Sequence, residues 1–172
     1  MIDDWTEKGW TDKLKHGAHL IITGGEPMLR QKEVTEFIQT YFDAFSMIPI
    51  IEVETNATIR PTEDFDVFVR HYNCSPKLSN SKMEKERRIR LDAMKWFAKD
   101  RRSIFKFVID TPEDIEEVVR DYVLQFNIQP SQVYLMPECV NRAELEQKRK
   151  WVASLCKDFG FNYGNRLHIE LY

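Results

Sequence analysis

Short apolar runs alternate with longer amphipathic stretches along almost the whole chain, and this alternation restricts the fold more than any other feature. Leu20-Ile21-Ile22 is such a run, and Thr23-Gly24-Gly25-Glu26-Pro27 follows it with residues suited to a turn. Val34, Phe37, Ile38, Tyr41, Phe42 and Phe45 then recur at helical spacing, which predicts a helix from about Gln31 to Phe45 with that face on a sheet. Ile50-Ile51-Glu52-Val53-Glu54 reads as a second strand and Phe65-Asp66-Val67-Phe68-Val69 as a third, ending near Asn73. The charged segment from Lys82 to Arg90 runs into Ala93, Trp96 and Phe97 and predicts a helix with a solvated, mostly basic face. Ile104 to Ile109 has the aromatic and β-branched content of a strand, and Thr111-Pro112-Glu113-Asp114 opens a helix striped by Ile115, Val118, Val119, Tyr122, Val123 and Phe126. Val133 to Met136 is a fifth strand. Asn141 and Glu144 have capping-box spacing ahead of a helix burying Trp151, Val152, Leu155, Cys156 and Phe159, with Gly160 as its C-terminal cap. Leu167 to Leu171 is predicted as the last strand, and Trp5 and Trp10 as part of an opening helix. Six strands alternating with about four helices describe an α/β protein with a mainly parallel sheet, since parallel neighbours need crossovers long enough to hold a helix.

A chain of 172 residues without a linker, repeat or low-complexity stretch fits one domain. Hydrophobic residues at 42% and charged residues at 31% argue against a disordered chain. A net charge of −3 removes the electrostatic case for a strongly basic nucleic-acid binder, so no direct nucleic-acid partner is expected. Three cysteines, Cys74, Cys139 and Cys156, are too few and too scattered for a disulfide framework or a self-contained zinc site, which suits a reducing cytoplasm. No apolar run approaches the ~20 residues that span a bilayer, so no membrane partner is expected.

Ligands of parallel α/β layers gather beyond the carboxyl ends of the strands. Four segments fall there: Thr23-Gly24-Gly25-Glu26-Pro27, Glu54-Thr55-Asn56-Ala57-Thr58, Ser75-Pro76-Lys77 and Met136-Pro137-Glu138. Gly24-Gly25 would let the main chain approach a ligand closely while Glu26 offers a carboxylate to an ammonium group, or the segment is a tight turn with an acid at a helix start. Glu54 and Asn56, two apart, can share a side and read a polar heterocycle, or Asn56 can serve the turn. Ser75 and Lys77 share a side in the same way, and Lys77 could neutralise a carboxylate. His168 stands in an otherwise apolar segment, where a histidine is more often structural than catalytic.

Taken in order, these segments resemble the radical S-adenosylmethionine enzymes, and within them the 7-carboxy-7-deazaguanine synthase group of queuosine biosynthesis. Gly24-Gly25-Glu26-Pro27 is similar to the superfamily's methionine-binding motif, and Glu54-Thr55-Asn56, Ser75-Pro76-Lys77, Tyr134-Leu135-Met136-Pro137-Glu138 and Arg166-Leu167-His168 to successive landmarks of the group. The resemblance covers residues 19–172 and implies a partial (β/α) TIM-like barrel of about six strands. It implies that Gly24, Gly25, Glu26, Ser75, Pro76, Lys77, Met136, Pro137, Glu138 and Cys139 bind S-adenosylmethionine, and that Thr23, Glu54, Asn56 and His168 face the substrate. The implied reaction begins with reductive cleavage of S-adenosylmethionine at a [4Fe-4S] cluster. The resulting radical abstracts hydrogen from 6-carboxy-5,6,7,8-tetrahydropterin, and a magnesium-assisted ring contraction releases ammonia, a carbon-nitrogen lyase chemistry feeding tRNA-base or DNA-base modification. A reductant such as flavodoxin is the implied electron donor.

Two departures set further expectations. Ala57 stands where the group has glycine after Glu-Thr-Asn. None of residues 1–23 is cysteine, whereas the group carries a CxxxCxxC cluster loop and a metal-binding threonine upstream of Gly-Gly-Glu. Residues 1–172 are therefore expected to be a single domain truncated at the N-terminus and at the extreme C-terminus, inactive without the cluster segment, with a homodimer or an N-terminal split partner as candidate associations. Another radical enzyme such as an activase, or a degenerate nucleotide-binding domain, are the alternatives.

Overall fold

The pleat of the central strands sorts their side chains into two classes, and the architecture follows from that sorting. In β2 (Ile50–Thr55), Ile51, Val53 and Thr55 are buried while Glu52 and Glu54 are partly open. In β4 (Ser103–Ile109), Phe105, Phe107 and Ile109 are buried while Ile104, Lys106 and Val108 alternate with them. β5 (Val133–Pro137) repeats the pattern. The apolar set lies under the helices, where each fully buried phenylalanine contributes about 1.5–3 kcal/mol. The other set forms the inner face.

A computed structural model describes residues 2–171. β1 (His19–Ile22), β2, β3 (Val69–Cys74), β4, β5 and β6 (Asn162–Tyr163) form one six-stranded sheet in sequential order, every pairing parallel. Right-handed crossovers in an unreversed order put every connection on the same side, so the sheet has one helix-covered face and one inner face, as in a barrel. The sheet does not close, so the fold is the partial TIM-like barrel expected.

Two short helices, α1 (Ile2–Glu7) and α2 (Trp10–Lys15), replace the single opening helix, broken at Gly9, which has a positive φ of 68°. α3 (Gln31–Phe45) lies as predicted and buries Ile38 and Tyr41, though Phe42 remains 42% exposed. The third predicted strand is displaced. Residues Glu63–Asp66 form the short helix α4, and the strand itself is Val69–Cys74. Asp66 accepts hydrogen bonds from Tyr72 Oη (2.8 Å) and Arg102 (2.7 Å), which fixes α4 against the strand. The basic segment divides into α5 (Lys85–Arg88) and α6 (Leu91–Lys99).

α7 (Pro112–Glu117) starts at the predicted cap, where the Asp114 carboxylate accepts from the backbone of Asp110 (2.7 Å) and Thr111 (2.9 Å). It continues as a π-helical stretch over Val118–Leu124. α8 (Arg142–Phe159) is capped by the Asn141 side chain, which accepts from Glu144 N (3.0 Å), and ends at Gly160 with φ 69°. Leu167–Leu171 is a short helix, α9, so the last predicted strand is corrected. The sixth strand is the two-residue Asn162–Tyr163 pairing with β5. No helix among the described residues is long and apolar enough to cross a membrane.

Candidate functional site

The ends of β1 and β2 are joined by one carboxylate. Gly24 (φ 96°) and Gly25 (φ 56°) both occupy the left-handed region, which L side chains disfavour, and the sharp turn they make carries Glu26 back over the sheet. Glu26 Oε1 accepts from Met28 N (3.1 Å) and the Thr55 hydroxyl (2.7 Å), and Oε2 accepts from Asn56 N (2.8 Å). Most of the carboxylate that the sequence offers to a ligand ammonium group therefore holds two strand ends together. Oε2 keeps one lone pair for such a group. Asn56 serves the turn, its side-chain oxygen accepting from Thr58 N (2.9 Å) and the Thr58 hydroxyl (2.6 Å). Ala57, fully buried, follows with φ 60°, a geometry that explains a glycine preference there. Gln31 braces the same corner by donating to Met28 O (2.9 Å) and Arg60 O (3.2 Å) and accepting from Thr62 N (2.6 Å).

Polar and charged groups line the inner face next to these ends. Glu54 Oε1 lies 3.3 Å from the Lys106 ammonium. Nearer the start of the strands, Glu52 is bound by the His19 ring and by Asn73 Nδ2 (2.8 Å). Burial alone would raise the Glu52 pKa, but the His19 and Asn73 hydrogen bonds outweigh it and hold the carboxyl below its ordinary value.

A cavity of about 490 Å³ opens at the carboxyl ends of β3, β4 and β5, with Ser75, Pro76, Lys77, Lys106, Glu138 and Arg166 on its walls. Its position follows from the strand-end rule, and four of those six residues come from two predicted motifs, Ser75-Pro76-Lys77 and Met136-Pro137-Glu138. The loop carrying Ser75-Pro76-Lys77 is pinned from below. The Lys77 carbonyl accepts from Arg88 Nη1 (3.0 Å) and the Tyr122 hydroxyl (2.7 Å). Arg88, predicted on a solvated face, is instead buried and paired with Glu117 at 2.5 Å. Glu117 also accepts from Ser79 N (2.9 Å) and the Ser79 hydroxyl (2.6 Å). Burial would raise the Glu117 pKa, but the Ser79 bonds and Arg88 lower it on balance. Burial pushes the Tyr122 pKa up, which keeps its hydroxyl a donor. The sequence gives no sign of this brace, because charges close in sequence look solvated until a tertiary partner removes them from water. Lys106 did carry a signal, a lone lysine between Phe105 and Phe107 in an apolar strand.

The predicted residues divide accordingly. Ser75, Pro76, Lys77 and Glu138 share the cavity. Gly24, Gly25, Glu26, Glu54 and Asn56 stand at the neighbouring ends of β1 and β2, and Glu54 reaches the cavity through Lys106. Met136 lies on the inner face against Gly164, where an added Cβ would come within 2.7 Å of its Cγ. Pro137 and Cys139 are buried, and Cys139 packs its thiol against Pro137 O. Thr23 borders a separate shallow groove along the open edge of β1 with Trp5 and Phe37. His168 lies on α9 and lines another cavity, with Asn141 and Arg142.

The three thiols do not fit an iron-sulfur cluster. Cys74, Cys139 and Cys156 are each buried, and burial raises the pKa of each, whereas cluster ligation needs thiolates brought together. Among the described residues no group of three or more His, Cys, Asp or Glu side chains is placed to hold a metal ion.

No protein-family model matches the chain. Four curated relatives do, each named 7-carboxy-7-deazaguanine synthase. That of Pyrobaculum aerophilum is 31% identical over 152 residues, covering 88% of this chain and 64% of the relative. That of Halobacterium salinarum is 30% identical over 180 residues, covering 92% and 66%. That of Rhodopirellula baltica is 28% identical over 166 residues, covering 90% and 61%. The chain thus spans less than two thirds of the length of these relatives.

Proposed function

The chain is a homologue of the 7-carboxy-7-deazaguanine synthases, and on that footing we propose that residues 1–172 supply the S-adenosylmethionine and pterin pockets of such an enzyme, a cytoplasmic carbon-nitrogen lyase of the radical S-adenosylmethionine superfamily. The observation that carries this reading is the 490 Å³ cavity. Ser75, Lys77 and Glu138, implicated by two separate motifs, meet on its walls although 63 residues separate Ser75 from Glu138.

The residues present fit S-adenosylmethionine. Cations at Lys77 and Arg166 and a carboxylate at Glu138 match a zwitterionic ligand, and the two-glycine turn leaves backbone groups open beside the free lone pair of Glu26. When bound, this cofactor supplies the adenosyl group that takes hydrogen from the substrate. The chain's own contribution is positional: the Arg88, Glu117 and Tyr122 brace fixes the loop that carries Lys77, and Glu26 fixes the β1 turn against β2. 6-Carboxy-5,6,7,8-tetrahydropterin would lie on the inner face toward Glu54. The burial of all three thiols favours a second reading, in which residues 1–172 bind S-adenosylmethionine without cleaving it.

Calorimetric titration with S-adenosylmethionine tests the pocket. One-to-one binding is expected, and Val108→Trp, which fills the cavity from β4, should weaken it at least tenfold while the protein stays folded by circular dichroism. Unchanged affinity in that variant would contradict the assignment. Anaerobic iron and sulfide reconstitution separates the two readings: 5′-deoxyadenosine formation by this chain alone would refute binding without cleavage.

A further inference from the structure

α7 does not continue as an ordinary helix. Over Val118–Leu124 it widens into a π-helical stretch, although the apolar stripe of Ile115, Val118, Tyr122 and Phe126, at spacings of three and four, suits an α-helix. The polar partners account for the widening. Glu117, just ahead of the stretch, meets Arg88 Nη1 at 2.5 Å, and Tyr122 donates its hydroxyl to the Lys77 carbonyl at 2.7 Å. The same Arg88 Nη1 donates to the same carbonyl at 3.0 Å. Glu117 and Tyr122, five residues apart, therefore converge on one donor and one acceptor.

Residues five apart lie about 140° from each other around an α-helix, which would turn one of the two away. In a π-helix the backbone hydrogen bond itself spans five residues, so both fall on nearly one face. The side chains on that face are buried, whereas Arg120 and Leu124 within the same stretch are largely exposed.

We propose that the π-helical stretch sets the register of the Lys77 loop, with Tyr122 as a positioning residue for the S-adenosylmethionine site that acts through the Lys77 carbonyl; this rests on the reading of the cavity as that site. Arg88 alone would hold the carbonyl at one point and leave the loop free to pivot. The Tyr122 hydroxyl is the second point. Ser75 and Lys77 on the cavity wall are then presented in one arrangement, and less ordering is left for the ligand to impose.

A π turn holds about one residue more than an α turn, so deleting one residue from the stretch should let it wind as α-helix with both flanks in place. Two such deletions differ in one respect. Without Arg120, Glu117 and Tyr122 become four apart and stay on one face. Without Leu124 they remain five apart, and because the Asp114 cap holds the preceding turn, Tyr122 is the one that leaves the Lys77 carbonyl. In calorimetric titration with S-adenosylmethionine, the Arg120 deletion should stay within about twofold of wild type and the Leu124 deletion should bind about fivefold or more weakly, the scale of one lost hydrogen bond. Tyr122→Phe should weaken wild type and the Arg120 deletion by the same factor and leave the Leu124 deletion unchanged, a pattern that general destabilisation would not produce. Equal affinity in the two deletions, whether both keep it or both lose it, overturns the register role and leaves the cavity standing. Should the Leu124 deletion not fold, Tyr122→Phe decides, and unchanged affinity there overturns the role of Tyr122. Wild-type protein that does not bind S-adenosylmethionine overturns the cavity reading and the proposal with it.

Discussion

Removing the Glu117 carboxylate is the sharpest perturbation of the brace beneath the cavity. Arg88 and Glu117 have side chains only 6% and 7% exposed, so Glu117→Ala would strand a guanidinium away from water and leave the Ser79 N–H and hydroxyl without their acceptor. Breaking a buried pair in this way costs about 3–5 kcal/mol. At this chain length that corresponds to a fall in Tm of roughly 6–20 °C. Because Arg88 also holds the Lys77 carbonyl, the damage should reach the cavity and weaken S-adenosylmethionine binding.

Urea unfolding followed by circular dichroism at pH 7 measures the loss, and the double variant Arg88→Met with Glu117→Leu measures the coupling. The double variant should lose about 2 kcal/mol less than the sum of Arg88→Met and Glu117→Leu made singly, because no charge is then left buried alone. The pH dependence has a definite sign. The folded Glu117 pKa is below its ordinary value, so its contribution is complete above about pH 4.5 and fades as the pH falls through the folded pKa. The gap between wild type and variant should therefore narrow below that pH. A loss under about 1 kcal/mol at pH 7, or strictly additive variants, would refute the reasoning.

Three further outcomes are expected. Gly24→Ala, at φ 96°, should cost about 1–2 kcal/mol by urea unfolding, since alanine meets there a strain that glycine escapes. Ala57→Gly trades relief of strain at φ 60° against a lost buried methyl and a more flexible unfolded chain, so its effect should stay within about 1 kcal/mol of zero. Alkylation followed by mass spectrometry should leave Cys74, Cys139 and Cys156 unmodified in the native protein at pH 8 and modify all three in urea, because burial both shields the thiols and raises their pKa.

The strands that the sequence makes legible are those whose outer side chains are uniformly apolar. Phe105, Phe107 and Ile109 announce β4, and Ile51 and Val53 announce β2. β3 was hidden because Arg70, His71 and Asn73 interrupt it with polar residues, while Phe65, Val67 and Phe68 just before it imitate a strand. β6 has only two residues, too few for any period, and Leu167 to Leu171 alternates like a strand yet coils as a helix. The motifs at strand ends were legible because topology alone decides which face of a parallel layer can hold a ligand. Arg88, Glu117 and Tyr122 were not, since their value lies in partners 11 to 45 residues away.

The central claim is that the carboxyl ends of β1 to β5 form one S-adenosylmethionine pocket. Titrating the ligand into ¹⁵N-labelled protein and following backbone amide shifts tests it most directly. Saturable shifts should concentrate at Gly24, Gly25, Asn56, Ser75, Lys77 and Glu138. Shifts confined to Asn141, Arg142 and His168, or absent at saturating ligand, would contradict it.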